Sequence, residues 1–404
     1  MTNDQKMSIK TNKKKLTAET KSTSKHALLL AAAMALPAIN VAHAETAPEH
    51  GIISFKYLDY LDSQSSVPDT FSGASSSTSK DRIKVKASSL MVMAPIAGEW
   101  SVSGTYTGDA ISGASPSYHS SQLIKLNEHR DAASLAVTRY LPRGTVSVGT
   151  SYSNEHDYLS RGFSLQGTVA SEDKNTTFNA GIAVSNDEIN STNGDAVGKT
   201  KHVTDWLVGV TQVLTVNDIA QLSLGYSDGQ GYFSDPYKYY DHRPDTKTHK
   251  TILTRWNHHF DQTDGSSHLS YRYYTDSFGV KSHTLSAEYA QPLAYGWTVT
   301  PLARLYTQTA AKFYVGVDPD SPAFFDVPAV TDPTANISLD QRLSEYGAVT
   351  LGFKVAKQLT PDWLVDFKYE QYKQKESWAL TGNNNGILEP FAYRSIQIGI
   401  SRRF

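Results

Sequence analysis

From about residue 52 to the end, the chain alternates apolar and polar residues with a period of two, and nothing else in it restricts the fold as strongly. The closing run Ser395-Ile-Gln-Ile-Gly-Ile-Ser-Arg-Arg-Phe404 puts Ile396, Ile398, Ile400 and Phe404 on one face, with Arg402 as the polar exception. Ser395, Gln397, Gly399, Ser401 and Arg403 fall on the other. Trp363, Val365, Phe367 and Tyr369 likewise oppose Asp366, Lys368 and Glu370, and Leu222, Leu224 and Tyr226 oppose Gln221, Ser223 and Gly225. Successive side chains of a strand point to opposite faces, so each such segment is a strand with one apolar and one polar side.

Laid end to end, the pattern predicts roughly sixteen strands, good to about two either way. They lie near 52–62, 81–94, 100–109, 129–141, 145–155, 161–170, 176–187, 201–214, 218–228, 249–260, 266–276, 281–292, 297–309, 345–358, 363–375 and 391–404. Short connections rich in Pro, Gly, Asn and Asp, such as Leu141-Pro-Arg-Gly and Leu359-Thr-Pro-Asp, have the chemistry of tight turns. They alternate with long ones, about 63–80, 110–128, 188–200, 229–248, 310–344 and 376–390, and two shorter members at 156–160 and 277–280. An even strand count with turns at one end and loops at the other predicts an all-β transmembrane up-and-down antiparallel barrel. A β-sandwich would not need loop lengths to alternate, and a propeller would show a repeat of roughly 40–50 residues, of which there is none. Trp100, Trp206, Trp297 and Trp363 are expected beside the short turns, as an interfacial girdle would place them. The carboxy-terminal Phe404, closing an alternating strand, resembles the signal by which outer-membrane insertion machinery selects its clients.

Residues 1–44 stand apart from this pattern. Lys13, Lys14, Lys15, Lys21 and Lys25 precede an apolar run from Ala27 to Leu36, and Ala42-His-Ala44 offers small residues at the positions a signal peptidase reads. The run is short for the ~20 residues of a spanning helix. A cleaved Sec-type signal is expected, with the barrel domain occupying 45–404 in the outer membrane. Lys and Arg total 38 against 40 Asp and Glu, so the bulk positive charge that draws a protein to nucleic acid is missing. The absence of cysteine removes disulfides, iron–sulfur clusters, thiolate zinc sites and covalent haem attachment.

The polar strand faces point into the barrel, and Arg272, Glu288, Arg304, Lys354, Asp366, Lys368 and Glu370 are the lumen candidates. A water-filled lumen tolerates such charges, whereas lipid penalises a midplane Arg or Lys by ~2–4 kcal/mol. Their mixed signs argue against strong ion selectivity, and opposed charges can equally serve to hold the wall in shape. The loop at 310–344, with Asp318-Pro-Asp-Ser-Pro and Val327-Pro-Ala-Val-Thr-Asp-Pro, is the expected constriction.

Local chemistry elsewhere is weak. Glu155, His156 and Asp157 share one short loop, and Asp235, Asp241 and His242 share an aromatic one. Carboxylates and imidazoles of this kind suit Ca²⁺ or a transition metal, but no ligand spacing marks a metal site, and solvated turns account for them as well. No cofactor is expected. Ser112, His119, His129, His156 and Asp157 supply the residue types of a hydrolase without any nucleophile elbow, so no catalytic residue is assigned. His258-His259 beside a short turn reads as interfacial.

The opening Glu49-His-Gly-Ile-Ile-Ser-Phe-Lys-Tyr-Leu-Asp-Tyr-Leu-Asp62 is followed in order by Arg82-Ile-Lys-Val, Ala94-Pro-Ile and Asp109-Ala-Ile-Ser-Gly-Ala-Ser-Pro116. Ser153-Asn-Glu-His-Asp-Tyr-Leu-Ser160 and Arg402-Arg-Phe404 complete the series. Together they resemble the bacterial family labelled domain of unknown function 3570, over nearly all of the chain after the signal. The resemblance implies an outer-membrane barrel with no established activity. The family's occurrence beside flavin-transferase and thioredoxin-like genes implies an envelope redox system as its setting, although no haem, flavin or thiol motif here supports a direct redox role. Its most particular motifs mark Asp109, Ser112, Gly113, Ser115, Pro116, Glu155, Asp157, Tyr158 and Ser160 as places where family function resides. Expected partners are outer-membrane lipid, the insertion machinery and a docked envelope protein. The expected function is a channel or transporter for small polar solutes, the alternative a non-enzymatic scaffold.

Overall fold

Strands with one apolar face can sit in lipid only if every backbone N–H and C=O is paired, which requires the sheet to close on itself. The computed structural model describes residues 46–64, 81–114, 125–238, 240–316, 332, 334–382, 388 and 390–404, and it closes in this way. The strands are β1 (Ile52–Gln64), β2 (Asp81–Ile96), β3 (Trp100–Ala114), β4 (Lys125–Leu141), β5 (Gly144–Asn154), β6 (Tyr158–Ala170), β7 (Thr176–Ile189) and β8 (Lys199–Val213). They continue as β9 (Asp218–Gly231), β10 (Thr246–Phe260), β11 (Gly265–Asp276), β12 (Lys281–Leu293), β13 (Trp297–Gln308), β14 (Tyr346–Gln358), β15 (Trp363–Lys375) and β16 (Phe391–Arg403). Each pairs antiparallel with its sequence neighbours, and β1 pairs with β16 to complete the ring. Gly51 and Phe404 finish the seam with reciprocal backbone hydrogen bonds of 2.8 and 2.9 Å. The Phe404 ring lies so close over Gly51 that an added Cβ would sit 2.4 Å from it, so a side chain there would have to displace the ring.

The alternation sorts as the sequence predicts. Phe55, Leu90, Leu135, Val148, Phe163, Val208, Leu224, Leu285, Leu351 and Ile398 are exposed on the outer face, a band that only lipid makes favourable. At the short-turn end, Arg139, Lys357 and Arg402 lie over the rings of Trp100, Trp297 and Trp363 at 5.2, 5.0 and 5.4 Å. Trp206 departs from the expected girdle. It stands in the middle of β8 against Tyr226, with ring centroids 5.4 Å apart. Alternation fixes which face a residue takes but not its depth along the strand.

Several strands run further toward the long-loop end than the alternation suggests: β3 reaches Ala114, β4 starts at Lys125 and β6 at Tyr158. There the outer residues face water rather than lipid, so the apolar half of the pattern fades while the hydrogen-bond ladder continues.

Candidate functional site

The seven lumen candidates lie on the inner face and stack in charged rows. Arg304 pairs in register with Ser286 and Thr350. Nearer the turns come Glu288 and Glu370, which share the row His268–Glu288–Leu302–Gly352–Glu370. Lys354 opposite Lys368 follows, then Asp366 opposite Ala356. Arg272, opposite Thr284, sits above them all. Lys368 and Glu370 form an ion pair at 3.1 Å. The wall from β3 to β7 is different, for its inner face carries Ser103, Thr105, Ser134, Ala136, Ser147, Gly149, Ser164 and Gly181 at mid-depth. At mid-depth the β3–β7 wall is thus lined by small, uncharged groups, while inward charge is carried by the rest of the ring, Asp205 on β8 and Lys56 on β1 included.

Described loop segments pack against one another at the mouth. The segment 337–344 is buried throughout apart from Arg342, with Ser338 and Asp340 fully covered. It is zipped to the β9–β10 loop by His242 N to Ile337 O at 2.7 Å and Ile337 N to His242 O at 2.9 Å. Arg342 donates to Asp235 at 2.6 Å and to both oxygens of Asp340, and Arg243 bridges Asp340 and Asp241 at 2.7 and 2.9 Å. Burial alone would raise the Asp340 carboxyl, but Arg342, Lys238 and Arg243 hold it well below the usual carboxylate range. Burial pushes Asp241 up despite Arg243. Within the 310–344 loop, residues 337–344 are thus held against the β9–β10 loop. The Asp318 and Val327 motifs of the 310–344 loop lie outside the described residues.

The family motifs meet the same mouth from the opposite side. Arg130 grips Asp109 through Nε and Nη2 at 2.8 and 2.7 Å, and Glu128 accepts from the His156 backbone at 3.0 Å. Asp187 accepts from Tyr158 and from Ser160, the latter at 2.7 Å, and pairs with Lys201 at 3.0 Å. Tyr237 joins the two halves: its hydroxyl donates to Asp157 at 2.6 Å while its N–H donates to Asp235 at 3.1 Å. Glu155 is buried with Oε1 unpartnered, and burial pushes its carboxyl up to about 8 against the pull of Arg130. Ser112 and Gly113 continue β3 beyond Asp109, whereas Ser115 and Pro116 lie outside the described residues. The hydrolase residue types are not brought together. His129 faces outward beside Asp131 at 3.3 Å, His156 is exposed, and His119 lies outside the described residues.

One supporting course was not foreseen. Tyr60, Tyr274, Tyr306 and Tyr372 each donate to the residue two further along the strand: Asp62, Asp276, Gln308 and Gln374, at 3.3, 2.9, 2.6 and 2.8 Å. Three of those acceptors hold what lies above. Asp62 accepts from Ile83 N and Asp276 from Val280 N, both at 2.9 Å, and Gln308 donates to the carbonyls of Arg342 and Ser344. The sequence signal was present, a Tyr-x-Asp or Tyr-x-Gln step near the mouth end of four strands.

A family model described as "Protein of unknown function (DUF3570)" matches residues 124–205 and 192–395. No curated protein matches the sequence. Among solved structures, a bacterial polysaccharide outer membrane secretin is similar at TM-score 0.50 and 8% identity, over 87% of this chain and 98% of that one. A BenF-like porin from Pseudomonas fluorescens Pf-5 aligns at TM-score 0.43 and 9% identity, over 88% and 98% of the two chains. OccD3 (OpdP) of Pseudomonas aeruginosa aligns at TM-score 0.40 and 8% identity, over 89% and 92%. The likeness to the secretin is one of fold.

Proposed function

This chain belongs to the DUF3570 family, and from that premise we propose that it is an outer-membrane channel or transporter for small polar solutes, closed at its mouth by its own loops. The observation that carries this reading is the inner face: charged rows on one wall and small hydroxyl-bearing residues on another, with the buried apolar cluster of Leu58, Tyr60, Ile83, Val85 and Ala87 confined to β1 and β2 among the described residues. A sixteen-stranded ring is wide enough to leave an aqueous path unless something fills it. What closes this one is a polar, salt-bridged segment at one end. A closure of that kind, held by two arginines and three carboxylates, is suited to being released.

The sealed mouth also favours a second reading, a barrel scaffold that docks an envelope partner. Planar-bilayer conductance of the purified, heat-modifiable protein separates the two. The channel reading expects discrete steps, rare in the native chain and at least several-fold more frequent in Asp340→Asn, which leaves Arg243 and Arg342 without their shared carboxylate. A silent bilayer for both proteins, each with the gel mobility of a folded barrel, would sink the channel reading and favour the scaffold.

A further inference from the structure

Two sets of arginines stand out at the mouth and on the inner wall. Those at the mouth, Arg130, Arg243 and Arg342, all grip carboxylates. Three on the inner wall do not. Among the described residues, Arg255 reaches Gln221 at 3.4 Å, Arg304 reaches Ser286 at 3.3 Å, and none of Arg255, Arg272 and Arg304 has an ion pair with a carboxylate.

Their placement is fixed by the ladder. Arg255 on β10, Ser270 on β11, Ser286 on β12 and Arg304 on β13 are consecutive partners in one row. At about 4.8 Å per strand, the two arginines stand roughly 14 Å apart. Arg272 lies on β11 between them, one inward-facing step nearer the mouth, and pairs with Thr284. The three backbones form a shallow triangle whose long edge runs through Ser270 and Ser286, and Thr284 stands just outside it beside Arg272. Thr284 Oγ1 is covered and has no hydrogen-bond partner among the described residues. The nearest acidic course, Glu288, lies one step toward the turns and is in an ion pair with none of them. Lys354 and Lys368 lie deeper, and Lys368 is already matched by Glu370.

We propose that Arg255, Arg272 and Arg304 bind small anions bearing a carboxylate or phosphate, directly beneath the plug. Guanidinium forks match both groups in bidentate geometry, and a wall of one sign concentrates counter-ions. The inference rests on the lumen being water-filled, as the channel reading holds, and gives that channel its substrate class. It also refines the expectation of weak selectivity: signs are mixed over the whole lumen, where Asp205 on β8 and Glu288 on β12 also face inward, but the three arginines cluster on β10 to β13 with no ion pair to a described carboxylate.

The test has a binding arm and a transport arm. Folded full-length barrel in detergent is titrated calorimetrically at low ionic strength with succinate, with inorganic phosphate and with neutral erythritol. Reversal potentials are measured across a tenfold KCl gradient. The native protein is expected to bind at least one of the two anions and not erythritol. Arg255→Gln/Arg272→Gln/Arg304→Gln should bind at least tenfold more weakly, while Lys354→Gln/Lys368→Gln stays within twofold of native. If the triple variant lacks the heat-shifted mobility of a folded barrel, Arg272→Gln alone serves, with a loss of at least threefold expected. Binding of succinate alone assigns a carboxylate site, and of phosphate alone a phosphate site. No binding by the folded native barrel, or equal binding by native and variant, overturns the proposal. A conducting barrel that neither binds nor prefers anions removes the site and leaves the channel. A silent barrel whose anion binding depends on the arginines removes the channel and leaves the site.

Discussion

Glu155 is a carboxylate in a place built for its neutral form. It is buried beside Asp157, Asp109 and Glu128, and Arg130, the cation nearby, is already committed to Asp109. Its folded pKa of about 8 lies above the ordinary carboxylate value of 4.5. Below both values folded and unfolded chains hold the proton alike, and the stabilisation is fully present. As pH rises through 4.5 toward 8 the unfolded chain releases its proton first, so this contribution is lost over that window. Asp340 has the opposite sign, since its depressed pKa gives stability that is present above the ordinary carboxylate range and lost as pH falls below it. The mouth should therefore be most stable in mildly acid solution. Urea unfolding of Glu155→Gln followed across pH 5–8 should show a visibly flatter dependence than the native chain. Parallel slopes for the two would mean that Glu155 is ionised in the folded barrel. None of this was legible in the sequence beyond the motif itself, because Glu155 owes its environment to residues on β3 and β4.

The strand is the scale at which the sequence was most readable. Alternation and turn residues located all sixteen elements, because in a barrel wall each residue has only two destinations and lipid separates them sharply. The misreadings have the same origin. Strand ends at the mouth were set short because both faces are wet there, and Trp206 was placed at an end because a period of two carries no information on depth. Inner and outer neighbours should accordingly differ in tolerance. Ile398 points out to lipid, with 53% of its surface exposed, and Gln397 points inward opposite Lys368. Ile398→Arg is expected to cost ~2–4 kcal/mol, as an arginine near the bilayer midplane does, whereas Gln397→Arg should cost less than about 1 kcal/mol. Reversible urea unfolding in lipid vesicles measures both. Reversed costs would show that the register has slipped by one residue, since that shift moves every side chain to the other face.

For the whole molecule, the division is between a wall built from near neighbours and a plug built from remote ones. Wall contacts, the β1–β16 seam apart, join successive strands, and a sequence pattern reports them. The plug joins Asp235 to Arg342 across 107 positions and Asp157 to Tyr237 across 80, through loops with no periodicity to read. Its function should therefore be tested by fixing it in place. His242 and Ile337 exchange both backbone hydrogen bonds where the two loops meet, and residues paired in this way have Cα atoms about 5.5 Å apart, within the range a disulfide spans. The chain has no cysteine of its own, so His242→Cys/Ile337→Cys introduces a single bridge with no competitor. If the plug is the gate, the oxidised double variant should lose the conductance steps of the native barrel, and reductant should restore them to at least native frequency. Either single variant should be indifferent to redox state. Unchanged steps in the fully oxidised double variant would mean that solute passes elsewhere in the mouth. The loops would then be a structural cap, and the arginine course beneath them would be reached by another route.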